Sequence, residues 1–305
     1  MSTDVVDGAF VAPSTSSLAR YRGRILRFLP FLPAGILLVG CFFVPLGLVG
    51  VFSLWRTDAN LDIVPVWQLT NYQNFFANPT YIRTLAKTAI IGMFVTVTCI
   101  VMAFAIAYFL ARYLSRRTAR FALLIIIVPF WTSYLLRVYS WLAILGEQGL
   151  INQVLMTLGI IHEPSRLFVY NDIGTFIVLV YVYVPFAILA LYASLDRFDF
   201  TQLTAAQDLG ARPDQAFRRI LLPQIRPGII TACIFVFIPI LGEFLTPNLV
   251  GGAQGLLIAN LIQNFFTNAL IPEGAAVAFV IAAFVTILLI AFRRYLRVED
   301  VVARG

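Results

Sequence analysis

Long stretches without a single charge constrain this chain more than any other feature. From Phe28 to Trp55 there are 28 consecutive uncharged residues, from Thr88 to Ala111 there are 24, from Ile173 to Leu195 there are 23, and from Gly274 to Phe292 there are 19. About 20 predominantly apolar residues suffice for a helix to cross a bilayer. Two further runs are interrupted once each, Phe121–Gly146 by Arg137 and Pro227–Pro272 by Glu243. The expected fold is therefore an all-α membrane protein. Its six transmembrane helices lie near 29–53, 87–111, 121–143, 173–195, 228–250 and 275–293. Composition agrees: 60% of the 305 residues are hydrophobic and 12% are charged, against about 25% charged in a soluble domain. That balance excludes a soluble globular protein, a disordered chain and a disulfide scaffold.

Prolines 45, 129, 185 and 239 fall inside these runs. In a bundle, neighbouring groups can satisfy the carbonyls that a proline frees, so each marks a kink that is either structural or part of a pathway.

The net charge of +7 is a topology signal. Arg20, Arg22, Arg24 and Arg27 precede the first span. Arg112, Arg116, Arg117 and Arg120 follow the second, Arg197, Arg212, Arg218, Arg219 and Arg226 follow the fourth, and Arg293, Arg294, Arg297 and Arg304 follow the sixth. These alternate segments hold 17 of the 22 basic residues. The positive-inside rule puts them, and both termini, in the cytoplasm. Charge spread over four short segments is not a nucleic-acid patch, and no nucleic-acid partner is expected. Residues 1–27 read as a cytoplasmic tail, disordered and then basic. Residues 28–297 form the membrane domain, and 298–305 a second cytoplasmic tail. The first apolar run is too long for a signal peptide and lacks a placed A-x-A site, so it reads as a retained anchor. The outer segments 55–86 and 144–172 mix aromatic and polar residues and predict short interfacial helices with a docking surface.

Catalytic chemistry is missing. There is no HExxH, no G-x-S-x-G and a single histidine, His162. Cys41, Cys99 and Cys233 sit in apolar runs without metal-ligand spacing and read as buried small hydrophobes. The sole lysine, Lys87, is followed by Thr88, but no glycine lies between Asn60 and Ala86 to shape a phosphate loop. Uphill work needs an ion gradient or another subunit.

The segment 197–226 carries the sequence's most specific pattern. A first short helix is expected over about Thr201–Leu209, capped by Asp199 or Thr201, with Gly210 at a left-handed exit. Pro213 fits the first turn of a second helix, which Pro223 ends. Phe217, Ile220 and Leu221 share one face of it. Such a helix–glycine–helix either enters a partner's groove or lies on the membrane surface.

Thr204-Ala205-Ala206-x-x-x-Gly210, nine residues, then Ile220-x-Leu222-Pro223 resembles the EAA loop of ATP-binding-cassette importer permeases. Thr204 stands where that family has Glu. Pro129-Phe130-Trp131-Thr132-Ser133, Gly242-Glu243-Phe244, Thr246-Pro247, Gly251-Gly252-Ala253 and Leu257-Ile258 resemble the spermidine/putrescine permease subfamily. The resemblance implies a type I importer permease fold, with Thr204, Ala205, Ala206, Gly210, Ile220, Leu222 and Pro223 in an ATPase-coupling loop. It implies two cytoplasmic ATPases that bind ATP and magnesium, so that this chain holds no cofactor. A second permease, forming a heterodimer in preference to a homodimer, and a periplasmic or lipid-anchored binding protein would complete the assembly in the bacterial inner membrane. The rival reading is an ion-coupled transporter or channel that needs no ATPase.

Two charges fall within the spans. Glu243 lies 16 residues beyond Pro227, about 24 Å along a helix at ~1.5 Å per residue, and Arg137 lies 16 residues beyond Phe121. Intramembrane charges mark function by default. Either Glu243 pairs with Arg137, or Glu243 meets a cationic cargo beside the rings of Trp131, Tyr134 or Tyr139. Arg137 could also reach the outer interface.

Overall fold

In a bilayer an α-helix satisfies every backbone group locally. The computed structural model, which describes residues 32–296, is helical through most of each long apolar run. The two expected tails, residues 29–31 and the arginines before Leu32 and after Leu296 lie outside the described residues. Contacts divide the chain at Val51 and Phe52 into two units, and the first is treated by itself. Its described part belongs to α1, which comprises Leu32–Leu38, a π turn Val39–Phe43 and Val44–Phe52.

The second unit begins with a feature absent from the sequence reading. A two-stranded hairpin pairs β1 (Arg56–Thr57) with β2 (Ile63–Val64), Arg56 opposite Val64. Helix α2 (Thr70–Ala77) follows. Its buried Asn71 side chain donates to the Ser53 and Trp55 carbonyls at 3.0 and 2.8 Å, tying the hairpin's entry to the helix. Helix α3 (Pro79–Tyr113) starts a turn or two before the expected 87. Asn78 accepts the Thr80 amide at 2.9 Å, and Pro79 sits where its missing amide costs nothing.

The expected third span is broken. Helix α4 (Arg116–Ile127) passes into a 3-10 turn Val128–Trp131, and helix α5 (Tyr134–Leu145) restarts after Ser133. The two arms are bent by 89°. Pro129 lacks an amide, and the Thr132 hydroxyl and amide both turn back onto its carbonyl, at 2.6 and 3.3 Å, closing the turn instead of extending the helix. Among the described residues five helices are thus long and apolar enough to cross a membrane, or six if the bent pair is one span.

Helix α6 (Leu150–Thr157) is a short helix within the segment 144–172, as expected. The buried Asn152 fastens that segment through the Gly146 and Ser165 carbonyls and the Ser165 amide, at 2.9–3.0 Å. His162 is exposed, and the described residues contain no metal-ligating cluster. Helix α7 (Asp172–Leu195) matches its expected bounds and holds Pro185 inside it.

Helix α8 (Thr201–Asp208) and α9 (Pro213–Ala216) form the expected short pair. A π turn Phe217–Leu221 then leads into α10 (Leu222–Leu241). Pro223 does not end the helix, contrary to expectation. The Leu222 amide reaches back five residues to the Phe217 carbonyl, so the widened turn shifts the hydrogen-bond register just before the proline. The same device precedes Pro45 in α1. The fifth span is consequently a continuous run from Pro213 to Leu241, not 228–250. A π turn Pro247–Gly251, α11 (Ile258–Thr267) and α12 (Ile271–Leu296) complete the chain.

Helices α3, α7 and α10 build the main core. Val95, Cys99, Ala103 and Ala107 recur every four residues on α3 and are all fully buried, a small-residue stripe that admits a close neighbour. The Cys99 thiol points at the Val180 carbonyl, 3.7 Å away. Cys99 is thus the buried small hydrophobe expected, whereas Cys41 is exposed and Cys233 half-buried. At Gly228 a Cβ would sit 2.4 Å from that of Ser194, so α10 and α7 need a glycine at their crossing. A second cluster joins Phe75, Phe237, Leu241, Ile258, Val277 and Ile281 under α2, α11 and α12.

Candidate functional site

Two candidate regions lie at opposite ends of α10. At its C-terminal end the helix stops at Leu241, and Glu243 organises the stop. The Gly242 and Glu243 amides bond to carbonyls only three residues back, at 3.1 Å. The Glu243 Oε1 then accepts the Leu245 and Thr246 amides at 3.0 and 3.1 Å, starting the next turn as a cap does. The Tyr183 hydroxyl donates to Oε2 at 3.3 Å. Glu243 is only 9% exposed, so these three donors are what make a carboxylate tolerable there.

The break in the expected third span meets the break at Glu243. The Tyr134 hydroxyl and the buried Thr246 hydroxyl share a hydrogen bond of 2.7 Å. Arg137 follows Tyr134 by one turn. Its guanidinium carbon stands 4.5 Å from the Phe130 ring centroid and 5.6 Å from that of Tyr134, one ring from each side of the break. Phe130 in turn packs edge-on against Phe186 at 5.2 Å. The buried Nε and Nη1 of Arg137 have no hydrogen-bond partner among the described residues. Each unsatisfied donor of this kind costs about 1–3 kcal/mol, while cation–π contact contributes about 0.5–2 kcal/mol. Arg137 is therefore poorly held compared with Glu243.

The direct ion pair weighed from the sequence is not formed. The ion pairs among the described residues include Lys87–Asp172, at 2.7 Å, and Arg166–Glu147, but no Arg137–Glu243 pair. Three of the carboxylate's roughly four acceptor sites are taken by its own turn and Tyr183, and the Arg137 guanidinium folds back onto the Phe130 and Tyr134 rings instead. Of the other expected path residues, Tyr134 belongs to the cluster. Trp131 and Tyr139 are 88% and 50% exposed and make no contact with Glu243 or Arg137 that matches Tyr134's. Phe130 and Thr246 sat inside the motif segments without being singled out. Tyr183 gave no signal, being one apolar-run tyrosine among several.

In the N-terminal part of α3, Lys87 also donates to the Gln254 carbonyl, and Thr88 accepts the Ile258 amide at 2.9 Å. The loop after the second break is thereby clasped to α3. Gly252 takes φ +59 there, against the backbone of Tyr170, a place only glycine fills without strain.

At the N-terminal end of α10 lies the 197–226 loop. The Thr201 hydroxyl and amide donate to Asp199 at 2.8 and 3.0 Å and together hold its carboxyl below the usual carboxylate range. Gly210 adopts φ +89, the left-handed exit. Thr204, Ala205 and Gly210 are exposed and Ala206 is half-buried. Leu209 is 89% exposed at the tip. The expected apolar face has a different use: Leu221 is fully buried and Phe217 packs edge-on against Phe104 at 5.7 Å. Ile220 is half-buried, while Leu222 and Pro223 are exposed.

The root of the loop is aromatic. Phe200 meets Tyr108 and Phe198 edge-on at 5.7 and 5.1 Å, and the Arg112 guanidinium lies 5.2 Å over its ring. Gln224 donates to Gln202 at 2.7 Å, binding α8 to α10. Two broken helices meeting at a buried charged group are the kind of arrangement from which transporters build substrate sites.

Residues 100–299 match the sequence model of the binding-protein-dependent transport system inner membrane component. The chain belongs to that family. It is similar to the spermidine/putrescine transport system permease protein PotB of Escherichia coli (strain K12), 35% identical over 261 residues that cover 85% of this chain and 94% of the relative. The Haemophilus influenzae protein of the same name is 32% identical over 247 residues, 81% of this chain and 85% of its own. A putative 2-aminoethylphosphonate transport system permease protein, PhnU of Salmonella choleraesuis, is 24% identical over 250 residues, 81% and 83% of the two chains. In fold the chain resembles a bacterial ABC transporter that imports the acidic polysaccharide alginate, with a TM-score of 0.69 over 92% of this chain and 98% of that one, at 15% identity. The same transporter bound to its alginate-loaded periplasmic protein gives 0.70. The type I importer permease fold and the family implied by the coupling-loop spacing are thus the ones found. Nothing in these comparisons favours the ion-coupled alternative, and the relatives are permeases and not enzymes.

Proposed function

We propose that this permease carries polyamines, or closely related amines, through a path that passes the junction of the two broken helices. The single observation that carries the cargo is the 35% identity to a spermidine/putrescine permease over most of both chains. The Glu243 carboxylate supports it: a buried anion beside aromatic rings suits an ammonium group. Six spans are proposed, counting the bent pair as one, with both termini cytoplasmic. Arg112 stacked beside Phe200 supports placing the basic α3–α4 turn and the 197–226 loop at the same, cytoplasmic end.

In this reading two cytoplasmic ATPases bind ATP and magnesium and grip α8 and its exposed Leu209. A second permease completes the path, and a periplasmic or lipid-anchored binding protein delivers cargo. This chain holds no nucleotide. ATP-driven closure pulls Thr204–Pro223, and the continuous helix from Pro213 to Leu241 carries that movement to Glu243.

Reconstitution with the cognate ATPase, sister permease and binding protein tests the proposal. ATP-dependent uptake of labelled spermidine or putrescine is expected. Glu243→Gln keeps an oxygen to accept the Leu245 and Thr246 amides but loses the charge. It should assemble normally and take up amine at least about tenfold more slowly, a loss of ~1.4 kcal/mol. Uptake of an anion and of no amine, or full amine uptake by the variant, overturns the cargo or the role of Glu243 respectively.

A further inference from the structure

The Arg137 guanidinium occupies the position that an amine cargo would seek. It lies over Phe130 and Tyr134, the rings that flank the break, 4.5 and 5.6 Å from their centroids. It makes no ion pair with Glu243 although Tyr134 and Thr246 link the two residues' segments. Nε and Nη1 together carry three N–H donors, and none finds a partner among the described residues. A charged group kept for structure alone is normally paired and hydrogen-bonded. Arg137 instead rests on the one interaction that any organic cation could replace.

We propose that Arg137 is a tethered stand-in for the cargo: it covers the Phe130 and Tyr134 rings between transport events and leaves them when a cargo ammonium arrives. The inference rests on the amine reading above and deepens it. Two cations cannot share one pair of ring faces, because they repel at this range in a poorly solvated site. Entry of the cargo and departure of Arg137 are therefore a single exchange. The departing side chain trades aromatic contact for satisfaction of its three donors, so displacement does not face the full loss of a well-made site. The outcome is a path that is never bare: with no cargo present, the permease's own cation covers the rings, and an amine passes only by displacing it, which slows unassisted leakage. Glu243 stays fixed throughout, because its oxygens hold the Leu245 and Thr246 amides.

The complete transporter in proteoliposomes, preloaded with labelled spermidine and deprived of ATP, reads this directly as passive efflux. Arg137→Met keeps length and bulk but removes the charge. Efflux should rise by about fivefold or more, the factor matching ~1 kcal/mol of cation–π holding, while a neutral polyol of similar size stays retained. Arg137→Lys should restore most of the tightness. Phe130→Leu keeps the guanidinium but removes a ring that holds it, and should leak amine as Arg137→Met does. This second variant decides the matter if Arg137→Met fails to assemble.

A purely structural role for Arg137 would lower ATP-driven uptake without opening an amine-selective leak. Amine uptake by the wild type with unchanged efflux in the assembled variants overturns the stand-in alone. Equal leakage of amine and polyol also overturns it. Failure of the wild type to take up any amine overturns the reading of cargo first, and the stand-in with it.

Discussion

The two ends of α10 are built on opposite principles. At the loop end, Phe200, Tyr108, Phe198, Phe104 and Phe217 interlock, Arg112 caps a ring, and Gln202 and Gln224 are joined. At the other end the backbone is broken twice, and Arg137 leaves three donors unmet. In the proposed function, force passes through the first region without slack, which dense contact supplies, and cargo passes the second, which calls for groups that can change partners. Glu243 is the exception that keeps the second region in shape, since it is as well satisfied as anything at the root.

The largest effect that would break this comparison comes from the root. Phe200→Ala removes a half-buried ring with three aromatic or cationic neighbours and should cost about 2–3 kcal/mol. The expected outcome is uncoupling: ATP hydrolysis by the assembled complex persists while amine uptake falls by more than about tenfold. If uptake and hydrolysis fall together in an intact complex, the root does not serve transmission.

At the broken end, Glu243→Ala removes a cap and leaves two amides without their acceptor. A loss of about 1–2 kcal/mol is expected, read as a lower melting temperature of the purified permease. Glu243→Gln should melt close to the wild type. Equal melting of the alanine variant and the wild type would strip Glu243 of its structural half.

The smallest effect sharpens the picture of the loop. Asp199 is held below the usual carboxylate range by Thr201. A lowered folded value means its contribution is present above the ordinary carboxylate pKa and is lost as pH falls through the depressed value. Hydrogen exchange at the Thr201 amide should therefore quicken, relative to the intrinsic rate, only on strong acidification. Asp199→Asn should flatten that dependence. A pH-independent protection factor in the wild type would remove the cap from the account.

Much of this architecture was legible because charges are so expensive in lipid that their absence marks a span. The bounds of α7 follow directly from Asp172 and Asp196. The α8–Gly210–α9 geometry was equally readable, since a capping acid, a left-handed glycine and a first-turn proline each have one cheap place to sit. Pro223 misled because a single proline rule takes no account of a π turn four residues earlier, and nothing in Phe217–Leu221 advertises one. The break at Thr132–Ser133 was half visible: Pro129 was noted, but the way the Thr132 hydroxyl and amide return to its carbonyl depends on atoms in space. The site was legible in its charges and not in its pairing. Glu243 and Arg137 both announce themselves in apolar runs, yet whether they meet depends on what else claims the carboxylate, and Tyr183 lies 60 residues away.

The π turn ahead of Pro223 has one more consequence. By letting the helix continue through the proline, it joins the 197–226 loop to the span as one rod of 29 residues, Pro213–Leu241, about 43 Å long at ~1.5 Å per residue. A tilt of about 5° at the gripped end of a rod that long displaces its tip by roughly 4 Å, more than a hydrogen bond's reach. The far tip is where Glu243 begins. Under the proposed coupling, a lever of this length needs only a small stroke at its loop end to reset the contacts around Glu243.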